Sequence, residues 1–447
     1  MQDIPISVTT ISGNKIQSAG IERIEDLSVY VPNFTLAETG ISTNIYIRGI
    51  GSGINQGFEQ SVGMYVDGIY YGRAQLTRAP FLDLERVEVL RGPQSIVLGK
   101  NSVAGAINVT TAKPSSDFEV EVSHLYEPEL NENKSRIIVN APFSDTVRGR
   151  LAAQVRKIDN HIENITEGSK DPGREEDIVR ATLAWDMTEN LTATFKAERG
   201  NFDVTGRNVE IIDDIASEKQ QDTGVDFPLF RLADGGTKGL TFVNILNRLG
   251  VQSSDIENVT LDGKRSSNGD YSNNSTDNLT LTFEYDIGGY TLTSVTGIMG
   301  YEFDEKCDCD FTGAEILELY SDEEFDQRSQ EFRLLSPKGE NFDFLAGVYY
   351  QTNKVDFNES LQIGDNSILR NLLNNPNLPP PIPGFPSFPQ IGDEVVSKSV
   401  DRVYRSDTDS ISAFGQVNFH LSKTVDLTLG LRYSKEEKDG FRSLTFS

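Results

Sequence analysis

Leu84-Glu85-Arg86-Val87-Glu88-Val89-Leu90-Arg91-Gly92-Pro93-Gln94-Ser95 runs on through Leu98-Gly99-Lys100-Asn101-Ser102 to Gly105-Ala106-Ile107-Asn108-Val109-Thr110. Two short apolar runs, Val87 to Leu90 and Ala106 to Val109, are separated by glycine and proline. Short apolar runs bounded by turn residues read as buried strands. The same pattern recurs upstream in Ile45-Tyr46-Ile47-Arg48-Gly49-Ile50-Gly51 and in Ser61-Val62-Gly63-Met64-Tyr65-Val66-Asp67-Gly68-Ile69. Ile4 to Ile11 reads as a further strand, and Ser12 to Val29 contains a helix-like stretch with Ile16, Ile21, Ile24 and Leu27 on one side. Residues 1–114 therefore read as a small α+β domain. Its glycines, among them Gly49, Gly51, Gly68, Gly92 and Gly105, stand at strand ends, where the chain turns sharply or passes close to another backbone.

After Pro114 the period becomes two. Val147, Gly149, Leu151, Ala153 and Val155 alternate with Arg148, Arg150 and Gln154; Val179, Ala181, Leu183 and Trp185 alternate with Arg180, Thr182 and Asp186. Leu191, Ala193, Phe195 and Ala197 alternate with Thr192, Thr194, Lys196 and Glu198. The pattern continues through Leu279–Tyr285 to Leu427–Tyr433. Each run is about ten residues long, which suits the roughly 9–11 residues of a tilted strand crossing a bilayer. About eleven such strands are expected in residues 115–447, joined alternately by short turns and by long segments near 157–176, 200–275, 300–326 and 355–407. A soluble sandwich gives no reason for a long loop at every second connection. Trp185, Tyr285 and Tyr433, near strand ends on the apolar side, fit an interfacial girdle.

Composition narrows the classes. Across 447 residues the hydrophobic share is 37% and the net charge is −27, with a mean hydropathy of −0.38. No stretch is apolar for long enough to form a membrane helix. The acidity argues against nucleic acid as a partner, because phosphate binding needs clustered Lys and Arg. Two cysteines rule out a disulfide scaffold. The N-terminus carries no basic, then apolar, export signal, and both ends read as cut.

Three separated motifs in the first domain, Ile45–Gly51, Ser61–Ile69 and Leu84–Thr110, resemble in order and spacing the plug domain of TonB-dependent outer-membrane receptors. Further on, Ser329-Gln330-Glu331-Phe332-Arg333-Leu334 with Leu345–Tyr350, and Ala413–Gln416 with Leu429–Tyr433, resemble barrel hairpins of the siderophore-receptor-like branch. Val139–Asp145 resembles the first periplasmic turn. The resemblance implies a plug followed by an antiparallel transmembrane β-barrel, with about 11 of an expected 22 strands present. It also implies an outer-membrane location in a Gram-negative bacterium, energy from TonB with ExbB and ExbD, and a scarce cargo. Ferric siderophores head that list; haem, cobalamin and oligosaccharide are alternatives. The TonB box expected before the plug is missing, and Gln2-Asp3-Ile4-Pro5 is similar to the stretch just after it.

Residue roles follow as expectations. Arg48 and Arg91 are expected to meet lumen carboxylates such as Glu331, since guanidinium groups hold carboxylates bidentately, with an ordinary ion pair inside the plug as the alternative for each. Ligand contacts are expected in the loops 54–60 and 70–79, at Phe58, Tyr70, Tyr71 and Arg73. Residues 300–326 hold eleven acidic residues against one basic, Lys306. Asp304, Asp308 and Asp310, with Cys307 and Cys309, are weak metal candidates there; a solvated acidic loop is the plainer reading. Seven of the seventeen prolines fall in 376–389, which reads as an extended loop. Gly49-Ile50-Gly51-Ser52-Gly53 fails the dinucleotide spacing, and neither G-x-S-x-G nor H-E-x-x-H occurs, so neither a cofactor nor an enzyme is expected. A sensor that binds without much transport, a passive porin and a secreted β-protein are the rival readings.

Overall fold

The computed structural model describes residues 7–38, 43–52, 59–93, 95–159, 161–214, 241, 243, 246–247, 250–252, 255–256, 261–374, 392–422 and 424–447. Phe58 and the proline-rich stretch 376–389 lie outside the described residues.

Among its described residues the first domain holds eight short strands: β1 (Ser7–Ser12), β2 (Phe34–Glu38), β3 (Thr43–Ile47), β4 (Ile50–Gly51), β5 (Val62–Val66), β6 (Ile69–Tyr71), β7 (Leu84–Arg91) and β8 (Gly105–Thr111). Helix α1 (Gly13–Ser18) and single 3-10 turns at Ile24–Val29 and Ala74–Arg78 complete it. Five strands form a mixed sheet in the order β1-β7-β8-β5-β6. Asp67 and Gly68 both take positive φ, 50° and 85°, which gives the tight β5–β6 hairpin the twist of a primed turn. Gly105 is required sterically: a Cβ there would lie 2.4 Å from the Leu90 carbonyl oxygen. Ile16, Ile21, Ile24 and Leu27 are all buried, as their spacing predicts.

The second part is one antiparallel sheet of eleven strands. They are β9 (Glu119–Glu127), β10 (Glu132–Pro142), β11 (Val147–Ile158), β14 (Gly173–Thr188), β15 (Leu191–Thr205), β17 (Tyr271–Ile287), β18 (Tyr290–Cys307), β19 (Glu318–Leu335), β20 (Phe342–Ile363), β21 (Lys398–Ser422) and β22 (Val425–Phe446). Three small strands, β12 (Ile162–Asn164), β13 (Ser169–Asp171) and β16 (Lys264–Arg265), form a separate sheet among the long connections.

The faces of the large sheet are inverted relative to a soluble protein. Leu279 is 43% exposed, and its neighbour Asn278 is 4% exposed. Likewise Phe195 is exposed while Lys196 is buried. The apolar side chains look outward, and the polar ones look inward onto the first domain. That arrangement is stable only where the surroundings of the outer face are themselves apolar. No helix among the described residues is long and apolar enough to cross a membrane.

The strands outrun the expected ends. The third long segment shrinks from 300–326 to 308–317, and the fourth from 355–407 to 364–397. Above the apolar band the outward positions turn polar, as at Asp322, Glu324 and Asp326, while the backbone pairing continues. Alternation in hydropathy fades there although the strand does not.

The core is shared. Ile45, Ile47, Val87, Val89 and Ile107 of the first domain belong to one buried cluster with Val295, Met299, Tyr301, Phe303, Phe325, Val355 and Phe357 of the sheet. The small domain is thus packed onto the wall rather than tethered beside it.

Candidate functional site

Polar groups on the inner wall must find partners once the small domain covers them. They do so at several heights. Low on the wall, Arg150 of β11 holds Asp83 with two bonds, 2.6 and 2.7 Å. Next, Lys196 of β15 reaches Asp67 at 2.6 Å, in the β5–β6 turn. The same carboxylate accepts from the Thr111 amide and hydroxyl at 2.9 and 2.7 Å. Burial pushes the Asp67 carboxyl up, but Lys196 and the Thr111 donors outweigh it and hold it below the usual carboxylate value. Arg180 donates to the Leu82 carbonyl at 2.7 Å and pairs with Glu198. Higher still, Arg73 binds Glu323 of β19, with its Nε at 3.0 Å, and Tyr301 at 3.2 Å. Arg78 donates to Ser272 at 2.7 Å and lies over the Phe202 ring. Near the domain's surface Lys134 of β10 pairs with Glu22.

These contacts rearrange the expected roles. Glu331 pairs with its strand neighbour Arg333 at 2.8 Å, not with Arg48 or Arg91. Arg91 stays within its own domain, donating to Thr9 at 3.1 Å and to the Pro32 carbonyl at 3.4 Å. Arg48 has a positive φ of 54° and lies beside Gly92.

The residues expected to contact ligand lie at the seam between the small domain and the wall. Tyr70, Tyr71 and Arg73 are buried at 3%, 6% and 4% exposure. Tyr71 accepts from Asn278 at 2.7 Å, and the Tyr70 carbonyl accepts from Gln327 at 2.9 Å. Tyr70 hydroxyl belongs to a cluster with Glu59 and Asn101. All three side chains hold the domain to the wall or to itself. Arg73 takes the part assigned to Arg48 and Arg91.

The metal candidates do not converge. Asp304 lies on the outward face of β18, accepting from Asn273 at 3.1 Å. Asp308 points the other way and accepts from the Asn268 amide at 2.8 Å. Asp310 caps Thr312, accepting from its amide and hydroxyl at 3.0 and 2.6 Å. Cys307 and Cys309 form a disulfide, which removes both thiolates as ligands. Among the described residues no group of three or more His, Cys, Asp or Glu is arranged to hold a metal ion. Instead the acidic segment is folded in. Burial, with Asp310 nearby, pushes Asp308 up to about 7. Burial also raises Asp310, to about 6, against the Thr312 donors. Ala314 packs with Leu246 and Ile256 in a small core shared between the long connections.

Lys196, Arg150, Arg180, Asp67 and Asp83 were missed as site residues. The signal for the cations was present: each sits at an inward position of an alternating strand, where a charge requires a partner. Asp67 and Asp83 gave no such signal, because each reads as an ordinary turn residue.

On a second side the segment Ile96–Lys100 meets β22. Lys100 bridges Glu59 of its own domain and Glu436 of the wall, both at 3.0 Å. Burial acts to lower the Lys100 ammonium, but Glu59 and Glu436 outweigh it and keep it charged.

Comparison with known proteins agrees with this architecture. Residues 1–106 match the model for the TonB-dependent receptor plug domain, and residues 212–447 match that for the TonB-dependent receptor-like β-barrel. The pesticin receptor of Yersinia pestis is 27% identical over 228 residues, covering 46% of this chain and 33% of that protein. The ferrioxamine B receptor of Salmonella typhimurium is 25% identical over 197 residues, covering 42% and 26%. Among solved structures, the ferric yersiniabactin uptake receptor from Yersinia pestis superposes with a TM-score of 0.72 at 18% identity, covering 99% of this chain and 60% of that one. The matched stretches span a third or less of these curated relatives.

Proposed function

Since the chain belongs to the TonB-dependent receptors, we propose that it serves active uptake of a scarce ligand, an iron–siderophore complex, across the outer membrane. Residues 1–114 act as the plug and residues 115–447 as barrel wall in this reading. The observation that carries it is the inverted sheet: an apolar outer face against lipid, and a polar inner face occupied by a domain of its own chain. A lumen so filled is no passive pore. Opening it takes work, and TonB with ExbB and ExbD is the proposed source. The family is one of transporters and receptors, and the relatives' names point to iron chelates as cargo: ferrioxamine B for one and ferric yersiniabactin for another.

The test is uptake of radio-iron complexes of hydroxamate, catecholate and carboxylate chelators by cells that carry the receptor, with and without TonB. TonB-dependent accumulation of one of them is the expected result. Accumulation that is the same without TonB would overturn active uptake. Haem, cobalamin and an oligosaccharide in the same assay identify a different cargo.

A further inference from the structure

The connection between β18 and β19, residues 308–317, is the place where the described parts of all four long connections meet. Gly313 lies against the first of them: a Cβ there would collide with the Thr166 side chain. Towards the second, Asp308 donates its amide to Asp270 at 2.7 Å and accepts from the Asn268 amide at 2.8 Å. Gly313 donates to the Asp255 carbonyl at 2.8 Å. Towards the fourth, the Glu315 carbonyl accepts from the Ile368 amide at 2.9 Å and the Ile316 carbonyl from the Ser367 hydroxyl at 2.6 Å. Ala314 and Ile316 complete a small core with Leu246, Ile256 and Ile368. Just below, Asn274 donates to the Gln75 carbonyl at 3.0 Å and Arg78 to Ser272 at 2.7 Å, so the assembly rests on the 74–78 turn of the plug.

This hub carries two carboxyls that nothing offsets. Asp308 is 0% exposed, and its Oδ1 has no hydrogen-bond partner; neither has the buried Oδ2 of Asp310. Among the described residues neither carboxyl pairs with a cation, because the cations around them are engaged elsewhere. Arg265 holds Asp270 at 2.6 Å and Asp171 at 3.6 Å. Arg207 holds Asp270 at 3.3 Å and also Glu305, which Arg78 of the plug faces from below. Lys306 pairs with Glu318 at 2.9 Å, and Arg370 of the fourth connection is exposed and pairs with Asp393 at 2.6 Å. The charge of Asp270 acts against ionisation of both hub carboxyls. A buried carboxyl without a counter-charge favours its neutral form. Burial, then Asp310, therefore pushes Asp308 up to about 7, and burial pushes Asp310 up to about 6. Both folded values lie above the unfolded value of about 3.9, so closure is most favoured below that value and is lost as pH rises through the folded ones. Asp308 alone changes the opening equilibrium by about a hundredfold between about pH 5 and pH 8. Its two neighbours, Cys307 and Cys309, are joined by a disulfide, with Cys307 fully buried.

We infer that residues 308–317 are an acid-closed latch: with Asp308 and Asp310 neutral, the four outer connections are held together as one cap on the 74–78 turn of the plug, and ionisation of the two carboxyls releases the connections from one another. The inference goes beyond the uptake reading and stands whatever the cargo is. The buried disulfide is its reporter. Reduction of the intact receptor by a water-soluble phosphine is followed by thiol alkylation and mass spectrometry, and is normalised at each pH to a peptide of residues 303–314. The wild-type rate should rise by about tenfold or more from about pH 5 to pH 8. Asp308→Asn keeps an oxygen for the Asn268 amide and stays neutral at every pH, so at pH 8 this receptor should be reduced more slowly than wild type. Loss of a merely structural contact would act in the opposite direction. Should Asp308→Asn fail to assemble, Asp310→Asn should slow reduction at pH 8 severalfold by the same reasoning. A wild-type rate that does not change with pH, or an asparagine variant reduced as fast as wild type or faster at pH 8, overturns the latch. Calcium added at pH 8 should leave the wild-type rate as it is; a return to the slow rate would mean that a cation rather than a proton closes the hub, and this also overturns the inference.

Discussion

Replacing Asp67 by asparagine should loosen the plug where β15 holds it. Asparagine keeps an oxygen for the Thr111 amide and nearly the same shape, so the change removes mainly the charge facing Lys196. The Lys196 side chain is 4% exposed, and it would be left buried without a counter-charge. Breaking a buried pair costs about 3–5 kcal/mol. The Asp67 side chain retains 20% exposure, so the lower end applies, about 3 kcal/mol, which is roughly a hundredfold in a local opening equilibrium. Hydrogen exchange of peptides spanning β8 in the intact receptor should speed up by that factor. Adding Lys196→Met, which removes the stranded charge, should restore most of the protection. The pH dependence follows from the sign of the Asp67 shift. Its carboxyl is held below the usual value, so its contribution is complete above the unfolded value of about 3.9 and is lost as pH falls through the lower folded value. Exchange at β8, corrected for intrinsic rates, should therefore be flat between about pH 8 and pH 5. An Asp67→Asn receptor within threefold of wild type, or a double variant no better protected than the single one, would refute the reasoning.

Other consequences can be measured separately. Arg73→Ala strands Glu323 and Tyr301 and should make the Ala74–Arg78 turn a site of limited proteolysis, read by peptide mapping. Asp308 and Asp310 are raised carboxyls, so their effect runs the other way: the 308–317 connection is best packed below the unfolded value of about 3.9 and loosens progressively as pH rises to about 6 and 7, visible as faster corrected exchange at pH 8 than at pH 5. Gly105→Val drives a Cβ into the Leu90 carbonyl and should lower the midpoint of plug unfolding by about 1–3 kcal/mol equivalent in a denaturant titration. Leu183→Arg on the outward face should cost about 2–4 kcal/mol in a folding titration in lipid, because that position faces the apolar layer.

The large pattern was legible because it repeats. Eleven strands each announce an outward apolar face, and the β5–β6 turn announces itself in Asp67-Gly68. What escaped was pairing at long range. Arg73 and Glu323 are 250 positions apart, and Lys196 and Asp67 are 129 apart. Which plug arginine meets which wall carboxylate depends on how the plug is turned within the sheet, and no local periodicity encodes that rotation. Arg91 reads the same in sequence whether it reaches the wall or Thr9. The acidic stretch 300–326 misled for another reason. Its charges fall on both faces of two extended strands and in the turn between them, so residues adjacent in sequence point in opposite directions.

The position of the plug's anchors along the chain bears on how the protein is assembled. The wall residues that grip it low down, Arg150, Arg180 and Lys196, lie on β11, β14 and β15. These strands follow the plug closely in the order of synthesis. The plug's own core is completed by β18–β20 residues such as Phe303 and Val355, which follow later. Assembly can thus proceed as a relay, in which early ionic contacts seat a partly formed plug and later strands seal its apolar surface. A sheet built this way never has to present a bare polar lumen to lipid, because its inner face has an occupant before the circle is closed.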